Sequence, residues 1–414
     1  MSVSVKSDGM LSPKSVALSL LDYCRKNDWA GYDPYDALNS RIYLALPFLH
    51  SRWPRLVLTQ TLKRSPINIR PLVGIPRTQN AKAMGLFAEA LIKLSEVGLV
   101  QDGGEVEQIA DKIMELRSPG VSHWAWGYSF PWQTRTIVVP RGAPNLVCTT
   151  FVANSLVSLY EATERAEYLD AAISAANYIV SLFWTDGATE SFSYPLASEK
   201  SRIHNANFLA AALLGRLCQH VPNDRFLETA FRAVRYSASR QAEDGSWPYG
   251  ELPKQQWIDN FHTGYNLCAL RDFGVYAETT EFDDAVRRGY QFYVDNFFRE
   301  DGAAKYFHDR AYPIDVHCVA QSLITLVQLQ DLCPRSLEIA GRVYDWAVNH
   351  MWSRSGYFYY RVLPVCTIRT SYMRWGQAWM LLALATLLRD NARTDRQALA
   401  PRRASRIRTI EHVG

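Results

Sequence analysis

Three histidines and an arginine recur at nearly matched places along the chain. His204 follows Gly187 by 17 residues, His262 follows Gly245 by 17, His317 follows Gly302 by 15 and Arg374 follows Gly356 by 18. Asn145 stands 18 after Gly127. Each of these five polar residues opens an apolar stretch with helical spacing, which places it at the first turn of a helix. A helix N-terminus offers unpaired N–H donors and the positive end of the macrodipole. Several such ends around one cavity favour an anion. The same field holds imidazoles neutral, and so able to act as bases, near pH 7. Arg374 is then placed to grip a carboxylate with two parallel bonds. A uronic acid or other acidic sugar suits such a set.

Carboxylates accompany two of the histidines. Asp259 lies three residues before His262, and Asp315 two before His317. As N-caps they would simply close their helices. Facing each other across a glycosidic bond they would be the acid and base of a hydrolase. Asp33 and Glu251 are further acids to consider. His262, Asp315 and His317 have the right ligand types for zinc but no tight spacing motif, so no metal is expected. The loops are rich in aromatics, most of which should pack as a collar. Trp247 and Tyr249, beside Glu251, read as a platform for sugar C–H faces, with Trp126 and Asn145 as further substrate contacts.

These residues must be held by a repeat. Gly127, Gly187, Gly245, Gly302 and Gly356 are 54 to 60 residues apart. A long period of this kind marks one supersecondary unit that cannot bury its apolar face alone. Here the unit is a helical hairpin. From residue 145 the apolar periodicity predicts helices over 146–164, 167–183, 204–220, 224–241, 262–275, 281–298, 315–332, 335–351 and 374–388. Earlier stretches over 13–27, 36–50, 56–63, 80–97 and 105–117 repeat less cleanly. One helix of each pair is small and apolar, as in Asn207–Leu214, and its partner is charged, as in Arg225–Arg240. The first kind is buried and the second faces solvent. Alternation of the two predicts an all-α fold, an (α/α)6 or (α/α)7 toroid of inner and outer helices with its long loops at one mouth.

No linker interrupts residues 1–388, which read as a single domain. The tail, 389–414, carries seven arginines against three acids, and it accounts for the net charge of +4. It reads as a disordered basic end whose one partner would be weak contact with an anionic membrane surface. The body is neutral and offers no nucleic-acid groove. No GxGxxG follows a strand and no GxxxxGK[ST] is present, so no cofactor is expected. Seven scattered cysteines without a CxxC pair fit a reducing compartment. Residues 1–13 lack the apolar region of a signal peptide, and the apolar run 379–388 is too short to span a bilayer. The expectation is a cytoplasmic protein; oligomeric state is not legible.

The hairpin pattern resembles the (α/α) toroid shared by six-hairpin glycosidases, uronic-acid lyases, sugar epimerases and terpenoid cyclases. The segment 241–247 (QAEDGSW) is similar to the Gln/Trp repeat of squalene-type cyclases. The strings at 31–36 (GYDPYD), 63–68 (KRSPIN), 257–262 (WIDNFH) and 374–379 (RWGQAW) resemble bacterial polysaccharide-biosynthesis proteins of the Vps type. That resemblance implies a carbohydrate setting, exopolysaccharide or capsule synthesis, and an oligosaccharide or polysaccharide substrate. Three reactions compete. Hydrolysis would use the two carboxylates. Elimination or C5 epimerisation of a uronate would use His262 or His204 as base and Arg374 as neutraliser. C2 epimerisation of an aldose would use two histidines on opposite faces. A polysaccharide-binding or assembly factor without turnover is the alternative. A terpenoid cyclase is weaker, because no DxDD or DDxxD string is present.

Overall fold

A computed structural model describes residues 11–101, 104–134 and 137–399, with side chains described as far as residue 394. The first helix, α1 (Pro13–Lys26), is followed by two shorter ones, α2 (Arg41–Ala45) and α3 (Arg52–Arg64). Five hairpins follow: α4 (Ala81–Glu96) with α5 (Glu105–Glu115), α6 (Leu146–Thr163) with α7 (Ala166–Ser181), α8 (His204–Cys218) with α9 (Asp224–Ala238), α10 (Asn260–Tyr276) with α11 (Asp283–Asn296), and α12 (Val316–Gln328) with α13 (Ser336–Met351). The last helix is α14 (Ala378–Leu399).

Helices α4, α6, α8, α10, α12 and α14 pack each on the next, and α14 packs back on α4. They form a closed inner ring of six. Helix α1 packs on α14, so the first helix of the chain is the outer partner of the last. This pairing settles the hairpin number at six. The physical cause is composition. In α8 all but two of the 15 residues are buried, which suits a helix enclosed on every side. In α9 the buried residues Phe226, Thr229, Ala230, Ala233, Val234, Tyr236 and Ser237 form one stripe and the charges face out.

Polar caps fix where the inner helices start. Side chains of Asn80, Asn145, Asp259 and Asp315 each accept a hydrogen bond from a first-turn N–H of α4, α6, α10 and α12. These starts gather at one end of the ring, where the long loops carry short antiparallel ladders. One of them joins β1 (Ile314–Asp315) to β2 (Arg361–Val362) and β2 to β3 (Thr367–Ile368), tying the loops before α12 and α14 together.

The glycine rhythm has a conformational basis at four of its five positions. Gly187, Gly245, Gly302 and Gly356 have φ of +88°, +89°, +92° and +83°. At Gly245 and Gly302 an added Cβ would also sit 2.4 Å from a backbone oxygen of the next outer helix. Gly127 belongs to a different geometry: its φ is not left-handed, and its missing Cβ makes room for the Ala143 carbonyl 2.1 Å away. Asn145 nevertheless stands at the start of α6 as its N-cap, as Asp259 and Asp315 do for α10 and α12.

Two helix expectations change. Residues 36–50 form a 3₁₀ turn, α2 and a second 3₁₀ turn in place of one helix, because Pro47 cannot continue the helical ladder. The last helix opens with a π-turn over Met373–Gln377 and runs on to Leu399, eleven residues beyond 388. The first part of the basic tail is thus helical, and Arg389 and Arg393 lie 3.6 and 4.0 Å from Glu96. Residues 400–414 lie outside the described residues. All seven cysteines are free. Among the described residues no helix is long and apolar enough to cross a membrane.

Candidate functional site

Helical phase decides which first-turn side chains reach the toroid axis. His204 is the first residue of α8, His317 the second of α12 and His262 the third of α10. Each step turns the side chain by about 100°. His204 accordingly points away from the others. It is sealed between α8 and α9, with Nδ1 3.2 Å from Ser237 Oγ, and burial pushes its pKa down to about 4. The expectation that it stands at the mouth is corrected on this geometry.

His262 does face the mouth. Asp259 caps α10 by accepting the His262 backbone N–H at 2.9 Å, and its second oxygen lies 2.7 Å from His262 Nδ1. Trp257 Nε1 donates to that same oxygen at 2.9 Å. The carboxylate is almost fully buried, whereas the imidazole side chain is 20% exposed. An acceptor held against Nδ1 keeps the proton there and leaves the Nε2 lone pair for a ligand. Tyr249, stacked on Trp257 with centroids 4.6 Å apart, lies 4.5 Å from the imidazole.

His317 is buried within hydrogen-bond reach of two partners. Nδ1 is 3.1 Å from the Trp375 carbonyl and Nε2 is 2.5 Å from the Tyr265 hydroxyl. A carbonyl at Nδ1 requires the proton there, so Nε2 accepts from Tyr265. Burial, followed by the charges of Lys82 and Arg374, pushes its pKa well down. The imidazole is thus neutral, but through burial first, with neighbouring cations second. Asp315 is wholly committed: it caps α12, accepts Arg361 Nε and Nη2 at 2.9 and 2.6 Å, and accepts Trp375 Nε1 at 2.8 Å. It braces the loops before α12 and α14 and leaves no oxygen for acid–base work. Arg374 is likewise engaged. Asp33 accepts its Nε and Nη2 at 2.7 and 2.9 Å, and its guanidinium lies 4.7 Å from the Tyr128 ring.

The cation that remains is Lys82, the second residue of α4, which the sequence spacing does not single out. It is 3% exposed. Its Nζ lies 3.9 Å from the ring centroid of Phe151, 5.2 Å from Trp379 and 5.5 Å from Tyr265. Those three rings touch one another at 5.2 to 5.5 Å and close the axis like a septum. Among the described residues Lys82 Nζ has no ion pair or hydrogen bond. Burial, then the charge of Arg374, pushes its pKa well below the usual lysine range; Cys148 and Asp33 oppose. On the far side of the septum, a cavity of about 460 Å³ is lined by later turns of the inner helices and contains none of the residues expected from spacing.

The remaining expected contacts divide. Tyr249 is at the mouth. Trp126 and Trp247 are core residues, donating through Nε1 to the Ile113 and Ser237 carbonyls at 2.8 and 3.0 Å, so neither offers a ring to sugar. In the Gln/Trp-like segment, Gln241 donates to the Gly245 and Ala285 carbonyls, both at 2.9 Å, and the segment acts as a brace between hairpins. Asn145 is a buried cap. Glu251 accepts the Tyr236 hydroxyl at 2.6 Å and lies 3.3 Å from Arg240, a surface network beside α9. Lys82, Tyr265, Tyr128 and Asp33 are the mouth residues that spacing left out or left in the background; the Asn80 cap two residues before Lys82 was the available signal.

No protein family matches the chain, and no curated protein is similar to it. The resemblance to polysaccharide-biosynthesis proteins therefore rests on the quoted strings alone. Solved structures do match. Cellobiose 2-epimerase from Bacillus thermoamylovorans has a TM-score of 0.58 and 12% identity, over 75% of this chain and 90% of that one. An unsaturated glucuronyl hydrolase specific for heparin has a TM-score of 0.62 and 10% identity, over 93% and 96%. An unsaturated glucuronyl hydrolase from a Bacillus species has a TM-score of 0.59 and 11% identity, over 90% and 94%. At such identities the likeness establishes the all-α toroid fold.

Proposed function

We propose that the protein is an enzyme that removes a proton from carbon in an acidic sugar, as an epimerase or lyase, with His262 as the base. The observation that carries this is the His262–Asp259 pair, oriented at 2.7 Å with the imidazole open to the mouth. His262 Nε2 takes the proton, and the Asp259 carboxylate stabilises the imidazolium that forms. Lys82 supplies the counter-charge for a sugar carboxylate. Among the described residues the charged groups that act on it are Arg374 and Asp33, and Asp33 is already held by Arg374. An anion brought by the substrate therefore favours the charged form of Lys82, which takes up its proton from solvent as the substrate enters, and the charge that builds on the carboxylate as the proton leaves carbon is met in a dry site.

Hydrolysis by two carboxylates is disfavoured because Asp259 and Asp315 are both buried and both bonded to their own helices. The toroid neighbours act on sugars by their names, which supports a carbohydrate substrate. A setting in exopolysaccharide synthesis has the quoted strings as its support, and a cytoplasmic one has the free cysteines. The test is incubation with uronate-containing and neutral oligosaccharides in deuterated water. Deuterium uptake without cleavage identifies epimerisation, and ultraviolet-absorbing unsaturated ends identify elimination. Saccharide bound but unchanged would overturn the enzymatic reading and leave a binding or assembly factor.

A further inference from the structure

The segment between the mouth residue Asp33 and the α4 cap Asn80 has a composition found nowhere else in the chain. Residues 41–77 hold seven Arg and Lys and no Asp or Glu. Of the fourteen large apolar side chains that stand exposed among the described residues, eight lie between Ile42 and Leu72. Phe48, Trp53 and Leu72 are 70%, 73% and 82% exposed. The cause is local. This segment has only a small core of its own, Ala37, Leu62 and Ile75, and α2 turns most of its apolar residues outward. On α3, Thr59 and Leu62 face in, while Trp53 and Val57, one helical turn apart, face out. Arg41, Arg52, Arg64 and Arg77 are exposed around them.

We infer that this face is the site at which the protein docks on an anionic lipid surface. An exposed apolar cluster of this size marks an interaction site. Two features select a bilayer over a protein partner. The flanking charge is of one sign, complementary to phosphate headgroups, and each cation near such a surface adds to binding. The apolar residues include Trp53 and Phe48, which suit the boundary between headgroups and acyl chains. Helix α3, with 13 residues, is too short to span and lies in the interface plane. The face is distinct from the Arg-rich tail, whose Arg389 is already beside Glu96. Both ends of the segment stand at the toroid mouth, so docking turns the mouth toward the bilayer and presents it to a glycan held there.

Vesicle flotation tests this with the full chain. Phosphatidylcholine vesicles containing about one-third phosphatidylglycerol should bind at least ~100-fold more protein than phosphatidylcholine alone at low salt, and half-molar salt should remove most of the difference. The surface variant L44S/F48S/W53S should lose binding by at least ~10-fold with unchanged circular dichroism and Tm. The charge variant R41E/R64E should lose the salt-sensitive part alone. Absence of wild-type binding to anionic vesicles overturns the inference. So does a dimer in sedimentation velocity that L44S/F48S/W53S dissociates while vesicle binding is absent, which would assign the face to a second copy of the chain.

Discussion

Replacing Lys82 by Met should make the protein more stable, and by an amount that depends on pH. The amine has three aromatic rings around it and no acid within ion-pair distance among the described residues. Burial lowers its pKa in the folded state, whereas the unfolded chain retains the ordinary value of about 10.4. Between the lowered value and about 10.4 the unfolded state binds the extra proton. Wild-type stability in that window therefore rises with pH, by about 1.4 kcal/mol per unit for this one group. Methionine removes the proton and keeps an unbranched chain that suits the aromatic box. The stability gap in favour of Lys82→Met should thus widen by about 1.4 kcal/mol for each unit of acidification. At ~2.1 cal/mol/K of unfolding entropy per residue, that is about 1.6 °C in Tm per pH unit for 414 residues. Paired thermal melts of both proteins from pH 6.5 to 9.5 isolate the lysine, because every other titrating group is shared. A gap that stays constant across the range, or a variant less stable throughout, would mean that the folded state holds Lys82 charged and compensated, and would refute its assignment as the counter-charge for a sugar carboxylate.

Other substitutions separate chemistry from support. Lys82→Met should weaken binding of a glucuronate-capped disaccharide by at least ~10-fold and leave its neutral glucose counterpart unaffected, measured by calorimetry. Asp259→Asn still caps α10 but no longer holds the Nδ1 proton, so turnover should fall about 10²–10⁴-fold with Tm nearly unchanged. Asp315→Ala strands the half-buried Arg361 guanidinium and the buried Trp375 N–H, and should cost about 3–5 kcal/mol in chemical denaturation; adding Arg361→Met should restore most of it if the role is structural. Trp247→Ala should cost about 3–5 kcal/mol and leave saccharide affinity intact, because the ring is core.

Much of the architecture is written locally in the chain. Small-residue helices such as α8 and one-sided helices such as α9 declare their layer through composition, because burial acts on each helix face by itself. Gly187, Gly245, Gly302 and Gly356 mark loops through a backbone conformation that disfavours side chains, and Asp259 and Asp315 mark helix starts through the N–H groups of the next turn. Each of these signals spans only a few residues.

The site is less local. The interval from glycine to first-turn residue varies from 15 to 18, and one residue is about 100° of rotation. Spacing could therefore place His204, His262 and His317 at one height but not on one side. The partner of Arg374 is 341 residues away, and the rings beneath Lys82 come from α6, α10 and α14. Closure of the ring by α1 against α14 joins the two ends of the chain. Such pairings satisfy charge and exclude water only after distant segments have met, so they leave no periodic trace, and the folded ring alone decides which polar residues are spent on structure and which remain open to a substrate.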